Sequence, residues 1–596
     1  MKNPMATSTF GSHWSLEDLL PNGVGQLEKV LDQIESCVQK IESYQQRLSN
    51  DIPVGDFLYL LHMIETMHEL TGVVGGYAYL SYSEDTQNPS ALSLRDRIEQ
   101  FLVGIENRTM FFSLWFKSLS DENAEQYITA AGDLNYYLTS VRRFKPYTLS
   151  EPEEKIINLK DVNGVEALVK IYEILTNGYT FNLEVDGEMK KLTRDGLSQY
   201  YHHPSPQVRA ATYQELYRVY GGSKAVLAQI YFSLVRDWGS EGVRLRGYAS
   251  PISIRNLGND IPDSVVDTML EVCRKNAGLF QRYFKLKARL LGMNKLKRYD
   301  IYAPIASLEK AVDFDAAVPL VLDSFNQFSP QVAQAASLVL ERSHLDAEVR
   351  LGKRGGAFSY GVGPKYIPWI LINYNGRIRD VTTLAHELGH SVHAILAAHH
   401  SVLIFHAPLP LAETASVFAE MLVTDRLLQE ETDPTVQRDL LLTILDDAYA
   451  TVERQAYISI FEKAAHVKIS EGCTSSELAS LYMQNLNEQF GDALELSEEF
   501  AWEWLTIPHI YNSPFYPYAY SFGQLLVLAL YQQYLVGPEE FVPRYIKLLS
   551  YGGSAEPLVI LSEARVDIAS PEFWQGGFDI LQSKLEQLEK ITGGDQ

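Results

Sequence analysis

Apolar residues recur at Leu27, Leu31, Ile34, Val38, Ile41 and Leu48, three or four positions apart for most of the run, which is the stripe of a long helix lying on a core. The pattern stops at Asp51-Ile52-Pro53, where proline removes a backbone donor. It resumes from Phe57 to Leu80 and from Ala91 to Leu119, with Asn88-Pro89-Ser90 as the break between them. Long amphipathic segments with short breaks predict an antiparallel array of helices. Strict alternation is local. The stretch from Asn182 to Leu192 alternates around Asp186-Gly187 and predicts a hairpin. From His203-Pro204-Ser205-Pro206 the helical segments lengthen, beginning with Gln207 to Tyr220, and this predicts a boundary between lobes near residue 200. Gly352 to Gly363 is a glycine-rich loop, and the β-branched and aromatic residues from Tyr366 to Tyr374 predict a strand after it. Asn375-Gly376 then turns the chain into a helix with Asp380 as the expected N-cap. The expected fold class is mainly α: a disordered leader (1–12), an N-terminal helical lobe (13–200) and a larger second domain (201–596) carrying a small β-sheet.

Composition narrows the class. With 596 residues, 46% of them hydrophobic, the chain can bury a large core. A net charge of −24 leaves no dominant basic field for nucleic acid. The densest basic run, Lys285 to Arg298, is helix-like and expected to be a solvated face. Cys37, Cys273 and Cys473 lie too far apart in sequence for a redox pair or zinc knuckle, so they are expected to be reduced and buried. No apolar run approaches the 18 or so residues of a membrane span, and Met1 to Ser12 lacks the apolar core of a signal peptide. The expectation is a cytoplasmic protein without a membrane partner.

The chemistry concentrates between Asp380 and His400. Within His386-Glu387-Leu388-Gly389-His390, the two histidines sit one helical turn apart on one face and can bind one metal ion. Glu387 follows the first histidine directly, which places its carboxylate as a general base beside the open position of a zinc site. Such a site needs a third protein ligand. Leu411 to Leu422 offers Glu413 and Glu420 a heptad apart on one helical face, so either can ligate while the other supports a ligand. His393 is expected to pack or support the site, and His399, His400 and His406 to be unrelated to metal.

The glycine-rich loop does not bind phosphate in the P-loop manner, because Lys353 is followed by Arg354. It suits an exposed sheet edge that pairs with an extended peptide, where Gly355, Gly356 and Ala357 leave room for substrate backbone. Downstream, Ile507 to Tyr520 contains His509 and the tyrosines Tyr511, Tyr516, Tyr518 and Tyr520. Imidazole and phenol groups can donate hydrogen bonds to an oxyanion. The bland alternative for each is an acid on a solvated face or an aromatic ring in a core.

Four blocks, GKRGGAFS (352–359), DVTTLAHELGHSVH (380–393), AETASVFAE (412–420) and IPHIYNSPFYPYAYSFG (507–523), resemble the zinc metallopeptidases of the thimet oligopeptidase and oligoendopeptidase F group, most of all oligoendopeptidase F. Their shared order makes the resemblance specific over about residues 200 to 585. It implies a two-lobed, zincin-type helical fold with a small sheet next to the zinc helix and a deep enclosed channel for short peptides. It also implies one Zn2+ per chain on His386, His390 and Glu413, with Glu420 in support and Glu387 activating the zinc water. His509 would serve the transition state with a tyrosine of the following loop. Tyr520 matches best by its distance to the next helix, with Tyr516 and Tyr511 as the other candidates, Tyr511 also as a substrate contact. The expected function is a zinc endopeptidase cutting internal bonds of short unstructured oligopeptides. The alternatives are a zinc carboxypeptidase on the same scaffold and a non-catalytic helical peptide-binding protein. Oligomeric state and cleavage preference are not encoded in a readable way.

Overall fold

The periodic run at the start of the chain forms helix α1 (Val24–Glu42), and its stripe is the buried face: Leu27, Ile34, Val38 and Ile41 are fully enclosed. The helix ends before Leu48, because the chain passes into a 3-10 turn over Gln45–Arg47. Helix α2 (Val54–Glu84) starts directly after Pro53. Helix α3 (Pro89–Thr109) has proline at its first position and Asn88 as cap, whose side-chain oxygen accepts from the Ser90 and Ala91 N–H groups. The segment read as one helix to Leu119 is two, since a second helix runs over Phe111–Ser118 after a break at Met110. These helices pack side by side around Phe57, Phe112, Phe116 and Tyr127.

The computed structural model describes residues 13–305 and 311–593; the expected leader, 1–12, lies outside the described residues. Two compact units each draw on three stretches of chain. The first is Met1–Lys145, Glu309–Glu430 and Gln533–Val566; the second is Pro146–Leu308, Glu431–Gln532 and Asp567–Gln596. In each unit packing joins segments remote in sequence.

In the first unit a three-stranded sheet stands beside the helices, formed by β1 (Leu345–Asp346), β2 (Phe358–Tyr360) and β3 (Trp369–Leu371). The order is β1-β3-β2, with β1 parallel and β2 antiparallel to β3, so β2 is an edge. The predicted nine-residue strand shrinks to three, because Pro368 cannot donate to a ladder. Gly376 adopts the left-handed conformation (φ 85°) and leads into α4 (Ile378–Leu396). Asp380 is the third residue of this helix and not its N-cap. Its carboxylate accepts from the Asn375 and Arg377 N–H groups at 2.7 and 3.0 Å, satisfying orphan donors from inside the first turn. Helix α5 (Thr414–Glu430) lies against α4, and α6 (Pro538–Ser550) also packs on it.

The second unit contains the expected hairpin, Phe181–Val185 with Glu188–Leu192, turned by Asp186 and Gly187 at φ 53° and 78°. Here the basic run departs from expectation. Its helix ends at Leu290, and Lys287 and Arg298 are buried. Lys287 Nζ donates to Asp446 and to the Ile301 carbonyl, each at 2.7 Å, and Arg298 donates to Glu503 at 2.8 Å. Partner carboxylates are what permit these cations in a core. All three cysteines are free; Cys37 and Cys273 are buried, and Cys473 is half-buried. Among the described residues, no helix is long and apolar enough to cross a membrane.

Candidate metal centre

Helix α4 brings the His386 and His390 rings together edge to face, with centroids 4.8 Å apart. Between them Gly389 meets the backbone that opens α5: a Cβ at this position would lie 2.6 Å from both the Ala415 carbonyl oxygen and Ser416 Cα. Only glycine allows that approach. It brings in Glu413, the residue between the turn Leu409–Ala412 and α5. Glu413 Oε2 lies 3.5 Å from His386 Nε2 and 3.5 Å from His390 Nε2, and it accepts from Ser416 Oγ at 2.7 Å. Tetrahedral ligands about 2.1 Å from an ion stand about 3.4 Å from one another. Two imidazole nitrogens and a carboxylate oxygen at this spacing therefore fit a zinc-like ion with one position left open.

Glu420, two turns further along α5, hydrogen-bonds His386 Nδ1. A carboxylate can only accept, so Nδ1 carries the proton and Nε2 presents its lone pair to the metal position. Burial lowers the His386 pKa, but the Glu420 hydrogen bond and the charges of Glu420, Glu387 and Glu413 outweigh it and raise the value to about 9. Proton and metal thus compete for this ring. Burial lowers His390 to about 4 against the pull of Glu413. Glu387 is 5% exposed, and burial, with Glu413 and Glu420 opposing the lowering effect of His386, raises it to about 7. The Ser359 backbone, on edge strand β2, lies close enough to its carboxylate to oppose that rise. The Ser359 and Ser391 hydroxyls, 2.9 Å apart, tie that strand to α4.

The glycine-rich loop is anchored at both sides of its exposed tip. Lys353 Nζ is wholly buried and donates to Asp346 Oδ1 and to the carbonyls of Asp346, Glu348 and Ile372, at 2.7 to 3.0 Å. Asn373 Nδ2 donates to the Arg354 and Gly356 carbonyls. Gly355 and Gly356 are exposed and Ala357 is half-buried. Sequence reasoning weighed Lys353 only as a phosphate ligand and passed over Asn373 and Ser359. A lysine inside a glycine-rich run next to a buried strand was the available signal.

In the second unit His509 opens a short helix (His509–Asn512). Tyr516 lies parallel to its ring at 6.0 Å, Tyr520 meets it edge-on at 5.8 Å, and the Tyr520 hydroxyl is 3.5 Å from His509 Nε2. Burial, then the nearby Arg454 charge, lower the His509 pKa, which keeps the ring neutral at pH 7. Tyr511 is placed elsewhere: it is 1% exposed and stacks on Tyr172 at 3.9 Å, which makes it a packing residue and corrects its reading as a substrate contact. Tyr518 is buried as well, accepting from Asn259 at 2.7 Å. The turn before Tyr516 is held by Glu462, which accepts from the Phe515 N–H, and by Arg255, which donates to the Pro514 carbonyl. His393 is buried on α4, where burial lowers it to about 3, and neither it nor His399, His400 or His406 joins the metal cluster.

Two histidines one turn apart, a carboxylate presented just ahead of the neighbouring helix and a buried glutamate beside them define the metallopeptidase class. The sequence profile of Peptidase family M3 matches residues 199–580, and that of Oligopeptidase F matches residues 115–181. The chain belongs to peptidase family M3. Oligopeptidase PepF of Bacillus subtilis is 27% identical over 594 residues, 97% of this chain and 87% of the relative. The oligoendopeptidase F homolog of Borreliella burgdorferi is 27% identical over 600 residues, covering 97% and 98% of the two chains. A crystal structure from Chlamydophila abortus shares the fold with a TM-score of 0.90 at 24% identity over 97% of this chain and 98% of that one. Oligoendopeptidase-F from Enterococcus faecium superposes with a TM-score of 0.70 at 23% identity, covering 95% and 99%. The family consists of zinc metallopeptidases acting on peptides, and this chain is a metalloendopeptidase with the expected mainly α fold.

Proposed function

We propose that the protein is a zinc-dependent oligoendopeptidase that hydrolyses internal bonds of short unstructured peptides with Glu387 as general base. The observation that carries this reading is a buried Glu387, raised to about 7, beside three converging ligand atoms. His386, His390 and Glu413 would hold the ion, which when bound supplies Lewis acidity to the scissile carbonyl and the attacking water. Glu387, beside the Ser359 backbone, takes the proton of that water and returns it to the leaving amine. Edge strand β2 offers unpaired backbone groups to an extended substrate, and Gly355, Gly356 and Ala357 leave it space. A segment must be unfolded to pair in this way, which limits substrates to unstructured peptides. The family resemblance gives His509 and Tyr520 the role of oxyanion donors, each worth about 2.7 to 4 kcal/mol, with Tyr516 as the neighbouring candidate. In sequence terms the catalytic segment is 201–596, preceded by a helical segment over 13–200.

The test is a digest of a peptide blocked at both ends, with products identified by mass. Internal cleavage is expected. Cleavage that requires a free C-terminal carboxylate would replace this reading with a zinc carboxypeptidase on the same scaffold.

A further inference from the structure

The second unit holds a buried polar cavity that none of the residues assigned to peptide hydrolysis lines. Arg298, Tyr449, Arg454, Tyr482, Gln489 and Glu503 line it, leaving about 10 Å3 of free space, room for a single small particle. Arg298 is 2% exposed, and one of its nitrogens, Nη2, donates to Glu503 Oε1 at 2.8 Å. The other carboxylate oxygen, Oε2, accepts from the Tyr482 hydroxyl at 3.2 Å. Arg454 Nη2 comes no nearer to Glu503 than 3.6 Å, beyond hydrogen-bonding distance. Two guanidinium groups therefore face one carboxylate whose oxygens are both engaged.

Neighbouring acids do not restore the balance. Glu488 pairs with Arg274, and Asp446 pairs with Lys287. Glu453 is fully buried, which raises its pKa, and its carboxylate oxygens bond to neither guanidinium. Meanwhile Arg298 Nε and Nη1, the Tyr449 hydroxyl and Gln489 Nε2 are buried without a protein partner. All four can donate. A water molecule could accept from two of them, but it brings two protons of its own and leaves the excess positive charge unanswered. A ligand that only accepts and carries one negative charge satisfies both deficits.

We infer that this cavity is a binding site for a small monovalent inorganic anion, of halide size, held between Arg298 and Arg454. The probes are chloride and bromide, used on the full metal-loaded chain. In thermal unfolding, chloride is expected to raise the midpoint saturably, on the order of 2 °C, relative to gluconate at equal ionic strength. Crystals grown in bromide should show an anomalous peak between the two guanidinium groups. Arg454→Met, at a partly exposed position, should remove both the shift and the peak. Gln489→Leu deletes one donor without changing charge and should raise the half-saturating chloride concentration several-fold, which keeps the test open if Arg454→Met fails to fold. Equal midpoints in both salts, water alone in the cavity, a chloride shift that persists in Arg454→Met, or an unchanged half-saturation in Gln489→Leu would overturn the assignment.

Discussion

Replacing Gly389 with alanine tests how the third ligand reaches the metal position. The added methyl would stand 2.6 Å from the Ala415 carbonyl oxygen and Ser416 Cα and 3.0 Å from the Ala415 carbonyl carbon, where ordinary contact begins near 3.4 Å. These are backbone atoms and cannot rotate aside, so the first turn of α5 must retreat by about 0.8 Å. Glu413 immediately precedes that turn, and metal–ligand distances tolerate about 0.2 Å. Overpacking of this kind costs about 1 to 3 kcal/mol. Alanine in a helix interior regains about 1 kcal/mol over glycine, so the net loss of folding stability is at most about 2 kcal/mol. The damage should fall on the metal site, with affinity reduced about 10- to 100-fold, the effect usual for disturbed ligand support. Competition with a chromogenic zinc chelator measures this directly, and thermal unfolding of the metal-free protein monitors the fold. Zinc affinity within twofold of the parent would refute the claim that the close approach at Gly389 positions Glu413.

Three further outcomes follow from the same geometry. Glu420→Ala removes the acceptor that orients His386 and should weaken zinc binding about 10- to 100-fold in the same competition assay while the thermal midpoint of the metal-free chain is retained. Lys353→Met leaves Asp346 buried with Arg350 as its remaining cation and should destabilise the first unit by about 3 kcal/mol, read as an earlier thermal transition. Glu462 is raised by burial from 4.5 to about 8, so the folded chain binds its proton more tightly than the unfolded chain does, and stability falls as pH rises through that window. His466, lowered by burial to about 3, acts in the opposite sense only below its unfolded value of 6.5. Above pH 6.5 Glu462 contributes a fall of about 1.4 kcal/mol per pH unit until it titrates near 8, in the same sense as His386 and Glu387 in the metal-free chain, whose values are raised to about 9 and about 7. Glu462→Gln should reduce the pH slope of unfolding stability over that range by about that amount, and an unchanged slope would exclude Glu462 as a contributor.

Much of this site was legible in the chain because its signals are local. His386, Glu387 and His390 are related by one helical turn, and the Asp186-Gly187 hairpin by two residues, so periodicity alone exposes both. Glu413 and Glu420 were visible as a pair, the family resemblance told expected ligand from expected support, and the structure sets one Glu413 oxygen 3.5 Å from both imidazoles and Glu420 on His386 Nδ1. What remained hidden depends on long-range contacts. Tyr511 reads like its neighbours until Tyr172 closes over it. Lys287 and Arg298 look solvated until Asp446 and Glu503, contributed from more than a hundred residues away, accept their charges. Asp380 carries a capping residue's chemistry, but the turn at Gly376 leaves it three positions past the N-cap, Arg377.

The most direct measurement of the central claim is peptide turnover by Glu387→Gln alongside its zinc content. The variant preserves the shape of the side chain and removes its basicity. It should retain one zinc per chain and lose about 10²- to 10⁴-fold in the rate of internal peptide cleavage. Full turnover with zinc in place would contradict Glu387 as the base and the mechanism built on it.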